Sequence, residues 1–109
     1  MVSPGGKTAL KGTTSLHLAA KNGYTTIVRC LVRSGAQIDA VDESGNTALH
    51  WAIKNGSEEV VAFLLEEGAD AQAQDEKGWT SLHMASISGQ EGITRLLIRR
   101  GVDLDATIT

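Results

Sequence analysis

The sequence predicts an all-α fold, a solenoid of stacked helix-turn-helix units with projecting β-hairpin-like turns. Three observations carry this reading. The chain repeats itself without gaps every 33 residues: TTSLHLAAKNG begins at 13, NTALHWAIKNG at 46 and WTSLHMASISG at 79. In the second half of the units, apolar residues recur at i, i+1 and i+4, which makes one stripe along a helix. Turn chemistry separates the helical runs. Gly23, Gly56 and Gly89 follow the first run, and Gly35, Gly68 and Gly101 follow the second.

The elements follow in order. Residues 1–8 read as a flexible tail, and residues 9–109 as one repeat domain with units at about 9–41, 42–74 and 75–109. The tail contains SPGGKT, but a phosphate-binding loop also needs a glycine five residues before Gly6, and Met1 stands there. Each unit opens on a turn. Asp42 with Gly45 and Asp75 with Gly78 have the spacing of a type I turn. Thr14, Thr47 and Thr80 then serve as helix N-caps. First helices are expected at 15–22, 48–55 and 81–88, and second helices at 25–34, 58–67 and 91–100. The apolar stripes are Ile27, Val28, Leu31 and Val32; then Val60, Val61, Leu64 and Leu65; then Ile93, Leu96 and Leu97. Two short helices cannot bury both apolar faces alone, whereas about three stacked units can.

Composition narrows the function classes. The chain has 109 residues, 41% hydrophobic and 21% charged, which suits one folded domain. Its net charge of −3 provides no general attraction to nucleic acid or anionic lipid. Charge is uneven: five basic residues face one acid in 1–41, two face nine in 42–77, and three face three in 78–109. Such a split is usually solvated helix surface, although it could orient a partner. No apolar run is long enough to span a membrane, and MVSPGGKTAL lacks the apolar core of a secretory leader. The expected compartment is therefore the cytosol or nucleus. The single cysteine, Cys30, lies in IVRCLV at a core-like spacing and reads as a reduced, buried thiol.

The repeated G-x-T-x-L-H-x-A, the glycine after the first helix and the leucine-containing second helix ending in glycine resemble ankyrin repeats. The resemblance covers about residues 9–109. It implies a stack whose turn tips and first helices line a concave, partner-binding groove. This chain departs from the family pattern in several places. Ser15, Ala48 and Ser81 replace the usual proline, which could forgo about 1–3 kcal/mol in total. Asp39, Gln72 and Asp105 replace the usual asparagine, Ala9 replaces the turn aspartate, and Gly92 weakens the start of the last helix. The last unit keeps Ile93, Leu96, Leu97 and Ile98 with no helix after it, so apolar surface is expected at that end.

Three histidines invite a chemical reading. A zinc site needs imidazole nitrogens converging about 2.0–2.1 Å from one ion. Equivalent residues of stacked helices stand about 8–10 Å apart, so His17, His50 and His83 cannot share an ion. As catalytic bases they would be three redundant copies. They read as structural imidazoles at the start of each first helix. No nucleophile–base pair or metal set can be assembled, so no enzyme and no cofactor are expected.

What does not repeat is free to specialise. These positions are Lys11, Thr13, Lys21 and Asn22; Glu43, Ser44, Asn46, Lys54 and Asn55; and Glu76, Lys77, Trp79, Ile87 and Ser88. They fall on turn tips and first-helix ends. Trp51, by contrast, reads as interior or half-buried packing. Trp79 aligns with Thr13 and Asn46, so it is not a core position; it is either a contact residue or lies flat on the neighbouring turn. The expected function is a monomeric protein–protein interaction module. Alternatives are a fragment of a larger multidomain protein, or a small inhibitory subunit of an enzyme.

Overall fold

The computed structural model describes residues 12–107. The tail and Lys11 lie outside that range. The order is α1 (Ser15–Lys21), α2 (Thr25–Arg33), α3 (Ala48–Asn55), α4 (Glu58–Glu66), α5 (Ser81–Ile87) and α6 (Glu91–Arg99), with no strand among the described residues. The helices α1, α3 and α5 pack side by side as one layer, while α2, α4 and α6 form the second. All but α3 end one residue earlier than the sequence suggests, which is within the fraying of helix ends.

Each first helix begins on the expected threonine. Thr14, Thr47 and Thr80 hold extended backbone, with ψ of 171°, 173° and 173°. Their hydroxyls accept the N–H of His17, His50 and His83 at 3.2–3.3 Å. In return the threonine N–H donates to Nδ1 of the same histidine at 2.9–3.0 Å. This is a reciprocal capping box in which histidine does what glutamate or glutamine usually does. Because Nδ1 accepts, the proton sits on Nε2. From there His50 and His83 each reach the carbonyl of Ala73 or Ala106 at 3.0 Å. His17 instead reaches Asn46 O at 2.9 Å. The histidines therefore tie the opening of each first helix to the turn segments.

The core is aliphatic. Leu49, Ala52 and Ile53 from α3 and Val60, Val61 and Leu64 from α4 are all at most 1% exposed. The end units are less well covered. Ile27 is 49% exposed and Ile98 48%, although both belong to apolar runs of the sequence. Register explains Ile27: its equivalents Val60 and Ile93 are buried against the preceding second helix.

The same argument corrects the reading of Cys30, which is exposed. Its equivalent Phe63 faces back toward α2, where Arg29 and Arg33 cover its ring at 5.5 and 5.4 Å. No described element packs on the corresponding side of α2, so a core-like spacing there gives an open thiol.

Neighbouring units are also joined through their loops. Glu76 N–H donates to Ser44 O at 2.9 Å between successive turn tips. Gly45 stands at this junction with φ +80°, and a side chain there would meet Glu76 N at 2.9 Å. The replaced asparagine positions still function. Asp39 accepts Asp70 N–H, and Gln72 accepts Asp103 N–H, both at 3.0 Å. What the position requires is a side-chain oxygen of suitable reach, and aspartate or glutamine provides one.

Candidate binding groove

The turn aspartates fix the loops around the candidate site, and Asp75 lines it. Asp42 Oδ1 accepts N–H from Ser44 and Asn46, and Asp75 Oδ1 accepts from Lys77 and Trp79, at 2.8–3.0 Å. Each tip is thereby fixed by its own side chain, as an aspartate-initiated turn requires. Asp42 also accepts from Trp51 Nε1 through its second oxygen, at 3.0 Å. Burial works against the Asp42 charge. The N–H groups of Asn46, Trp51 and Ser44 outweigh it and hold the carboxyl below its usual pKa.

Two lysines approach the Trp51 ring. Lys21 Nζ is 5.2 Å and Lys54 Nζ 4.5 Å from its ring centre, within cation–π range. Lys54 Nζ also donates to Asn46 Oδ1 at 3.2 Å, so this ammonium is held in place. Asn46 itself is 4% exposed. That corrects its reading as a surface position: its side chain positions Lys54 and presents almost no surface of its own.

Units two and three enclose an open groove of about 320 Å³. Lys54, Asp75, Lys77 and Ser88 supply its polar lining; Trp79, Met84 and Ile87 supply the apolar part. Ile87 is 71% exposed. Trp79 is half-buried, meeting His83 edge-on with ring centres 6.2 Å apart, so it is partly packing and partly groove wall.

Five of the positions singled out from sequence thus meet in one groove: Lys54, Lys77, Trp79, Ile87 and Ser88. Lys21 stands one unit away over Trp51. Glu43, Ser44 and Glu76 are exposed on the tips, and Thr13 is half-buried before α1. Asn22 and Asn55 are exposed, and both turn inward on their own loops. Asn22 Nδ2 donates to Leu18 O at 2.8 Å, and Asn55 Nδ2 donates to Ser57 Oγ. Trp51 is half-buried against the core, as its sequence suggests, with Lys21 and Lys54 over its ring. Sequence reasoning missed Asp75 and Met84 as groove lining.

The histidines are committed elsewhere. Burial pulls the His50 pKa below its usual value, against the opposing pull of the Ala73 carbonyl. No group of three or more His, Cys, Asp or Glu side chains suited to a metal ion occurs among the described residues.

The family model for ankyrin repeats matches residues 16–108 in three copies. The chain belongs to the ankyrin-repeat family. Among curated proteins, an ankyrin repeat protein of Rickettsia bellii (strain RML369-C) is 56% identical over 32 residues. The match covers 29% of this chain and 13% of that protein, so the chain spans only a small part of the relative's length. Ankyrin repeats are in general protein–protein interaction modules. No helix among the described residues is long and apolar enough to cross a membrane.

Proposed function

We propose that this ankyrin chain is a non-catalytic module that binds a partner protein as a monomer, through the groove formed by turn tips and first helices. One observation carries the reading. Residues identical in all three units form capping boxes, turns and core, while five at positions that vary among the units line one exposed groove. The tips are fixed by aspartate bonds before any partner arrives, which lowers the ordering cost of binding. Lys54 and Lys77 select by charge, and Trp79 and Ile87 offer apolar contact.

A photo-crosslinking residue at Ile87, compared with one at Arg95 on α6, tests the proposal. A discrete adduct from source-cell extract at position 87 and none at 95 is expected. Adducts at 95 alone would sink it. A second reading, that the three units belong to a longer array, rests on the exposure of Ile27, whose register equivalents are buried. Appending one in-register unit before residue 12 should then bury Cys30 and raise the melting temperature.

A further inference from the structure

The repeat offers an internal comparison for the groove. Shifting Lys21, Asp42, Trp51 and Lys54 by one period gives Lys54, Asp75, Met84 and Ile87. Between units one and two, the Trp51 indole covers its first helix. Its N–H goes to Asp42 Oδ2 at 3.0 Å, and Lys21 caps its face. Between units two and three, Met84 stands in place of that tryptophan, and the groove of about 320 Å³ opens there. Asp75 Oδ1 is used by the turn, but among the described residues no N–H reaches its second oxygen. Lys54 lines the groove, but its ammonium lies over the Trp51 ring at 4.5 Å and bonds Asn46 Oδ1. Thus an acceptor and a thioether floor remain in place where the neighbouring unit holds an indole, with Lys54 at the side.

We propose that this groove takes a tryptophan side chain from a partner polypeptide. The inference rests on the interaction-module reading and adds the chemistry of the anchor. The indole N–H would donate to Asp75 Oδ2, and its ring would lie on Met84 between Trp79 and Ile87, beside Lys54. The complementarity is specific. A carboxylate oxygen wants a donor, and methionine sulfur packs well against aromatic rings. The volume lies at the lower end of ordinary small-ligand pockets, which suits one side chain and not a large ligand.

An amide NMR titration of the whole chain tests this with three probes: N-acetyltryptophanamide, its indole-N-methyl derivative and N-acetylleucinamide. The tryptophan probe should shift amides around Lys54, Asp75 to Trp79 and Met84 to Ser88 at millimolar concentration. Methylation removes the N–H and should weaken binding about tenfold. The leucine probe should bind no better than the methylated one. Met84→Trp supplies the indole from within and should abolish the shifts. Should that variant fail to fold, Asp75→Asn keeps an acceptor for the turn and should erase the preference for the unmethylated probe.

Equal binding of the methylated probe, shifts unchanged by Met84→Trp, or no shifts at the groove would each overturn the proposal. So would a selective response to an acidic peptide lacking aromatic residues. A partner that crosslinks at position 87 and still binds the Met84→Trp variant would remove the indole anchor and leave the interaction module standing. Crosslinking at position 95 alone would remove the module itself.

Discussion

Replacing Ser81 with proline should stabilise this protein, and by more than the same change at Ser15. Both serines occupy the first helical position, where a missing N–H costs nothing, and neither N–H has a backbone acceptor among the described residues. The preceding threonines have ψ of 171° and 173°, the extended conformation proline demands of its neighbour. Reduced freedom of the unfolded chain should contribute about 0.4–1 kcal/mol at either site. Ser81 carries a second term. It is 1% exposed, and its Oγ is buried without a partner among the described residues, whereas Ser15 is exposed to water. Deleting an unsatisfied buried hydroxyl recovers about 1–3 kcal/mol. Ser81→Pro should therefore gain roughly 1.5–4 kcal/mol and Ser15→Pro no more than ~1. At about 4–8 °C per kcal/mol for a domain of this size, thermal unfolding separates the two. Equal gains would mean that the Ser81 hydroxyl costs nothing. A loss at Ser81 would mean that the ring does not fit beneath the turn.

Three further outcomes follow from particular residues. Cys30 should react with a maleimide in native buffer at a rate close to that of the urea-unfolded chain; protection lifted only by denaturant would refute its exposure. Gly45→Ala and Gly68→Ala both force a side chain into left-handed backbone, at about 1–2 kcal/mol each. Only at Gly45 does the new carbon meet backbone of the next turn, so Gly45→Ala should cost about 1–3 kcal/mol more in urea unfolding. The third outcome concerns pH. The His50 pKa is lowered on folding, so the unfolded chain binds its proton at higher pH. Its contribution is fully present above about 6.5 and is lost as pH falls through the lowered folded value. His50→Gln should flatten that part of the urea-midpoint profile. Asp42, also lowered, acts only further into acid, below about 3.9.

Much of the scaffold is legible from sequence because it is written three times. Thr14, Thr47 and Thr80 announce the caps, and the structure places the helices they begin within a residue of expectation at both ends. Lys54, Lys77, Trp79, Ile87 and Ser88, which line the groove, stand at positions that vary among the three units, the opposite signal. Two kinds of fact were not. Cys30 has a core spacing, but burial needs a neighbour as well as a stripe, and spacing within one helix does not report what packs on it. Asn46 is polar and variable yet buried, because its neighbours can satisfy it: Asp42 takes its N–H, Lys54 its side-chain oxygen and His17 its carbonyl. Those partners are 4 to 29 residues away, and no local pattern contains them all.

The most direct test of a division between repeated scaffold and unrepeated groove is a titration calorimetry series on the partner recovered at position 87. Wild type, Ile87→Asp and Arg95→Asp would be compared, with thermal unfolding measured on the same samples. Ile87→Asp should weaken binding at least about tenfold with the melting temperature unchanged, because a 71% exposed side chain carries little of the core. Arg95→Asp on α6 should leave affinity unchanged. Unaltered affinity in Ile87→Asp together with loss in Arg95→Asp would place recognition on the layer of second helices and contradict the assignment of function to the groove.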